Sequence, residues 1–281
     1  MDSTSSRPHS SAMRCMEIRG GSRAVEDAFD TPGLDGFLYS KPFEGAERGG
    51  DLHYVSLCGG GVITRVVVAD VSGHGASVAE FSETLRTLMR KNINTKSQTR
   101  LVQALNRQFG EHAQLLRFAT AVVATYLATK RSLTVCNAGH PRPLCYRQSQ
   151  DRWLFLDAHA AEPGNLPLGL DDESPYHQFT ETLEPGDVVC FYTDALTEAK
   201  DPAGKMLGEA GLLELVRGLK PTEPRQLAER LISQIDAHCQ GRADEDDVTL
   251  LCLFHNGKGP RPPSLSEKLD VYAKVFGLKA Y

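Results

Sequence analysis

The sequence predicts an α+β fold: mostly antiparallel strands, with helices gathered in separate blocks, layered into a sandwich. Three observations predict it. Short β-branched and apolar runs recur along the chain, bounded by Gly, Pro, Asn and Asp. Helical periodicity comes in two blocks, one after the first pair of strand runs and one before the last, rather than alternating strand by strand. The length, 281 residues, is enough to bury about three quarters of the unfolded surface, so the fold needs no covalent staples.

Taken in order, residues 1–14 are Ser-rich around a Pro and have no apolar core, so they read as a disordered tail rather than a secretory leader. A folded domain is expected over 15–256. "LHYVSLC" and "VITRVVVAD" flank Gly59, Gly60 and Gly61 and predict a β-hairpin. Val78, Phe81, Leu85, Leu88 and Met89 then make one helical stripe, and Leu101, Val102, Leu105 and Phe109 a second, over Thr99 to Phe109. "FATAVVATYL", "SLTVCNA", "PLCYR", "WLFLD" and "DVVCFYTD" follow as strands. Helices are expected near Leu207–Leu219 and Glu223–Cys239, and "VTLLCLF" closes the domain. "GKGPRPPS" reads as a linker, and Leu265, Leu269, Tyr272 and Phe276 place a final helix within 257–281.

Composition narrows the function classes. There are 31 basic and 36 acidic residues, a net charge of −5, which argues against nonspecific binding to nucleic acid. No run approaches the roughly 20 apolar residues of a membrane span. Seven cysteines with no CxxC pair read as reduced thiols serving as small hydrophobes, which fits a reducing cytoplasm.

Acids mark the strand ends. A three-residue loop at Gly59–Gly61 sets Cys58 opposite Val62 and Asp51 opposite Ala69, one step from Asp70; a bulge or a slip of one aligns the two acids. Asp194 ends the strand "VVCFYT", and Asp246 and Asp247 precede "VTLLCLF". Aspartates also cap helices and make turns. Brought together at one end of a sheet, however, like charges repel, and a divalent cation is the natural neutraliser. All-oxygen ligands with no His or Cys at ligand spacing favour Mg²⁺ or Mn²⁺ over Zn²⁺.

Seven segments then occur in a telling order: "GGDLH", "VVVADVSGHG", "FATAVVATY", "CNAGHPRPL", "LPLGL", "LEPGDVVCFYTDALTEAKDPAGKMLG" and "DEDDVTLLCL". From Gly49 to Phe254 the chain resembles the bacterial SpoIIE-like branch of the metal-dependent (PPM) serine/threonine protein phosphatases. The resemblance implies a four-layer α-β-β-α sandwich, a central antiparallel β-sandwich flanked by helices, with the active site at one end. It implies two Mn or Mg ions. Asp51 and Asp70 bind metal, Asp70 bridging the two ions, with the backbone carbonyl of Val71 as a further ligand. Asp194 and Asp246 hold the second ion, Asp246 rather than Asp247 because it opens the "DDVT" motif.

The implied activity is a cytoplasmic phosphatase in which a metal-bridged hydroxide attacks the phosphate of a phosphoserine or phosphothreonine. The implied substrate is a phosphoprotein, possibly a STAS-type anti-anti-sigma factor, with no nucleic-acid or membrane partner. The small residues after Asp70 keep the metals open to a folded substrate, and Gly73 and Gly75 let the backbone turn into the next helix. His74, in that turn, is a candidate for substrate contact, for proton donation or for a solvated turn. His140 and Asn137 read as structural. One position departs from the family pattern: Ala195 stands where "YTDG" has Gly, at a cost of roughly 1–2 kcal/mol if the position needs a left-handed backbone. Two rivals stay open, a noncatalytic pseudophosphatase acting as an interaction module and a two-metal phosphodiesterase or nuclease. The oligomeric state and the upstream signal are not legible.

Overall fold

Strands whose two faces are both apolar need cover on both sides, and the architecture follows from that requirement. The computed structural model describes residues 10–43, 46–72, 76–92, 95, 97–112, 118–157, 164–241 and 246–260. The chain opens with β1 (Ser11–Ala12), β2 (Glu17–Gly21), β3 (Val25–Thr31) and β4 (Leu34–Lys41), four strands that the motif reading did not assign. β5 (Leu52–Cys58) and β6 (Ile63–Val71) form the expected hairpin, followed by α1 (Ala76–Asn92) and α2 (Gln98–His112). Next come β7 (Ala119–Leu127), β8 (Ser132–Ala138), β9 (Leu144–Arg147), β10 (Arg152–Phe155), β11 (Phe179–Thr182) and β12 (Val188–Tyr192). A short α3 (Ala195–Glu198), then α4 (Gly208–Arg217) and α5 (Pro224–His238), lead to β13 (Val248–His255).

The strands form two sheets, ordered β1-β3-β4-β13-β12-β9-β10 and β11-β8-β7-β6-β5-β2. The two-residue β1 lies parallel to β3; the other named pairings are antiparallel. Alternation along β6 explains the layering. Val66 and Val68 point between the sheets, where they meet Leu38, Val122, Phe191 and Leu251. Val67, Ala69 and Val71 point outward, under Leu85 and Met89 of α1 and Leu101, Leu105 and Phe109 of α2. On the far side, Leu212 and Val216 of α4 and Leu231 and Ile235 of α5 cover Phe37, Cys190, Leu250 and Cys252. Each fully buried Leu, Ile or Val contributes about 1.5–3 kcal/mol, so both helical layers are integral to stability. The result is the expected α-β-β-α order.

The hairpin register differs from the sequence expectation by one residue. Cys58 pairs with Ile63, not Val62, because the loop takes in Val62 as well as three glycines with φ of 62°, 73° and 84°. Leu52 therefore pairs with Ala69, and one step further Asp51 lies opposite Asp70. This is the slip of one that aligns the acids. None of the seven cysteines is in a disulfide, and five of them are buried. The expected disordered tail over 1–14 is corrected in its last residues: Ser11–Ala12 pair with β3 and Met13 packs into the core between the sheets. Residues 1–9, the Gly73–Gly75 turn with His74, and the residues of the expected C-terminal helix lie outside the described residues.

Candidate active site

Antiparallel pairing gathers the acids at one end of the sandwich. β5 starts where β6 ends, and β13 starts where β12 ends. Asp51 and Asp70 thus come from one sheet, and Asp194 and Asp246 from the other. Their effects on each other place them together. Asp70 is pushed up to about 7, first by burial and then by the charges of Asp194, Asp246, Asp247 and Glu198. Asp194 is pushed up to about 6 by burial, then by Glu198 and Asp246. Asp51, only 3% exposed, is held well above the ordinary carboxylate range by burial and then by Asp70.

Asp51 is fixed by hydroxyls from the opposite sheet. Thr193 Oγ1 donates to its Oδ2 at 2.8 Å and accepts the Thr249 backbone N–H at 3.0 Å. The Thr249 hydroxyl also bonds to Asp51 and lies 3.1 Å from Ser40 Oγ. Thr193 and Thr249 are fully buried. The relay therefore locks one acid in a single rotamer and ties the two sheets together at the site.

The adjacent aspartates divide their work. Asp247 accepts the Phe43 backbone N–H at 2.6 Å through Oδ1 and the Gly50 N–H through Oδ2. A Cβ on Gly49 would collide with that carboxylate, so the close approach requires glycine there. Asp247 is a clamp on the segment that delivers Asp51. Asp246 is exposed, and its Oδ1 accepts the Asp247 N–H at 2.8 Å.

Two residues near the site resolve differently from the motif expectation. Ala195 opens α3 directly after Asp194 (φ −61°, ψ −20°) and has no left-handed φ, so the missing glycine costs the backbone nothing. Glu198, one turn further on α3, raises both Asp70 and Asp194 and belongs to the acidic cluster, although no motif reading singled it out. His140 and Asn137 are structural: Asn137 Oδ1 accepts the His140 N–H and its amide donates to the His140 carbonyl, both at 2.7 Å. The ring Nδ1 lies 2.9 Å from Thr120 Oγ1, and burial depresses the imidazole to about 3, so it stays neutral.

Among the described residues no three His, Cys, Asp or Glu side chains lie close enough together to hold a metal ion as they stand. The donor set nevertheless fits a hard divalent cation. Carboxylates raised by burial and by one another's charge gain most from a cation, and the charged groups that raise them are all carboxylates. No described helix is long and apolar enough to cross a membrane.

Residues 61–256 match the family model of Stage II sporulation protein E (SpoIIE). The phosphoserine phosphatase RsbU of Bacillus subtilis is 25% identical over 190 residues, 67% of this chain and 55% of RsbU. Protein IcfG of Synechocystis is 22% identical over 273 residues, 86% of this chain and 42% of IcfG. The chain thus spans about half the length of the curated relatives it matches. Among solved structures, the RsbU and RsbW domains of Rv1364c from Mycobacterium tuberculosis align over 91% of this chain and 70% of that one, with 26% identity and a TM-score of 0.68. The PP2C phosphatase domain of Bacillus subtilis SpoIIE aligns over 86% of this chain and 64% of that one, with 17% identity and a TM-score of 0.64, a likeness of fold. Family model, fold and acid-bearing strand ends agree: this chain belongs to the SpoIIE family.

Proposed function

We propose that the chain is a Mg²⁺- or Mn²⁺-dependent phosphatase that hydrolyses phosphoserine or phosphothreonine on a protein. The observation that carries this reading is the meeting of Asp51, Asp70, Asp194 and Asp246 at one end of the sandwich, with Asp70 and Asp194 pushed up to about 7 and about 6. In this reading Asp51, Asp70, Asp194, Asp246 and the Val71 carbonyl would hold two ions. Bound divalent ions supply Lewis-acid activation of water and neutralise the phosphoryl oxygens.

The protein's own part is positioning. Thr193 and Thr249 orient Asp51, Asp247 fixes its approach, and the rigid apolar β6 carries Asp70 to the site. Glu198 adds negative charge on the α3 side, which strengthens cation binding there. No nucleophilic side chain is required. Cys190, the strand cysteine nearest the acids in sequence, is fully buried and its thiol is pushed up by Cys252 and by burial, so it is not a nucleophile.

The relatives support a substrate class. RsbU and RsbP are phosphoserine phosphatases, and the mycobacterial structure joins an RsbU domain to an RsbW domain. These likenesses support a partner-switching role, with a phosphorylated STAS-type anti-anti-sigma protein as substrate and a cytoplasmic location. The test is to phosphorylate candidate STAS proteins with their cognate kinases and follow phosphate loss with Mn²⁺. Faster loss from one of them than from an unrelated phosphoserine peptide is expected. Equal rates on both would retain the phosphatase and remove the partner-switching assignment. The pseudophosphatase alternative loses the support it drew from Ala195, which opens α3 without a left-handed φ.

A further inference from the structure

The β2 edge of the sandwich opens into a cleft of about 430 Å³ that none of the clustered aspartates lines. Guanidinium groups reach it from four parts of the chain: Arg19 on β2, Arg23 in the following turn, Arg48 in the segment before β5, and Arg86 on α1. Carboxylates answer these charges unevenly. Arg19 has two of its own, Glu17 and Asp27, each at 2.8 Å. Arg23 has Glu47 at 2.8 Å. Arg48 and Arg86 share a single one, Glu83, at 3.7 and 2.8 Å. The four arginines thus face four carboxylates, but among the described residues Arg48 and Arg86 have only Glu83 between them, a local excess of one positive charge on the α1 side.

Hydrogen bonding is incomplete in the same place. His53 lines the cleft, is only 4% exposed, and its Nδ1 has no partner. Arg86 Nε is buried and also lacks one. A buried polar atom left without a partner is costly, and two beside an arginine pair form an incomplete binding site. An acceptor-rich anion reaching them would serve both, the neutral His53 ring carrying its one proton on Nδ1. Arginine is the side chain suited to forked bonds to phosphate oxygens.

We propose that this cleft binds a phosphate group, free or carried on a small monoester, gripped by Arg48, Arg86 and His53. Its volume, about 430 Å³, exceeds what a bare phosphate fills and falls in the range of small-molecule pockets. The anion would tie α1 to the segment that delivers Asp51, because Arg48 and His53 flank that acid in the chain.

The site is tested on the full chain in excess EDTA, so that the acid cluster holds no divalent ion, at ionic strength held constant with chloride. Inorganic phosphate and O-phosphoserine are titrated by calorimetry and by thermal shift. The expected result is saturable binding with a rise in Tm, weakened roughly tenfold or more in Arg86→Gln and in Arg48→Gln, and unchanged in Asp70→Asn. Tighter binding of O-phosphoserine assigns the cleft to a monoester, and the reverse order to free phosphate. Should Arg86→Gln lose its far-UV circular dichroism, the half-exposed Arg48 decides the matter. No saturable phosphate effect in the native chain, or the same affinity in Arg48→Gln, would overturn the proposal.

Discussion

Thr193 donates its hydroxyl to Asp51 at 2.8 Å across the seam between the two sheets, joining residues 142 positions apart. The bond sets one acid of the cluster from the opposite layer, which makes the geometry of the site depend on how the sheets are stacked. Thr193→Val keeps the shape and removes the donor. Mg²⁺ affinity, measured by calorimetry, is expected to weaken roughly 10-fold, as for other groups that orient a metal ligand, while Thr193→Ser restores it. An unchanged affinity in Thr193→Val would remove the positioning role.

The pH dependence of stability has a definite sign. Asp70 and Asp194 are raised from an ordinary 3.8 to about 7 and about 6. A raised carboxylate favours the folded state only while it is protonated. In EDTA its contribution is full below about pH 4 and is lost as pH rises through 6 to 7. Tm in EDTA is therefore expected to fall between pH 5 and 8, and Asp70→Asn to flatten that fall. Saturating Mg²⁺ should raise Tm most at the alkaline end. A flat profile in EDTA would show that the acids do not crowd one another.

Asp246 and Asp247 should separate cleanly. Asp247→Ala leaves the Phe43 and Gly50 amides without their acceptor, and Tm is expected to drop by at least about 4 °C. Asp246→Asn is expected to leave Tm in EDTA unchanged or higher and to weaken Mg²⁺ binding. Thermal melts and metal titrations of both variants check this, and swapped phenotypes would reverse the assignment.

Ala195→Gly restores the residue usual in the family, but the position is helical. Glycine in a helix costs about 0.5–1 kcal/mol relative to alanine, which predicts a Tm lower by about 1–4 °C and no gain in turnover. A clear rise in rate would mean that the strand-to-helix turn must flex during the reaction.

The sequence made the acids legible because each sits where an apolar run stops. The run sets the strand, and the strand end sets the place of the acid. Register was less legible: loop length decides it, and Val62 joins the loop rather than the strand. β3 and β4 escaped notice because Asp27, Asp30 and Asp35 interrupt their apolar pattern, although Pro32-Gly33 marks the turn between them. Thr193 stands beside Asp194 in the chain, yet its partner is Asp51, a relation that only the stacked sheets create. Glu198 could have been found from helical spacing, four residues after Asp194, once a helix was placed there.

The most direct test of the metal-dependent phosphatase reading is release of phosphate from a phosphoserine protein by the native chain and by Asp70→Asn, each with Mn²⁺ and with excess EDTA. The account predicts turnover only for the native chain with Mn²⁺, with Asp70→Asn folded but slower by orders of magnitude. Full activity in EDTA at a confirmed absence of metal, or near-native rates in Asp70→Asn, would contradict it.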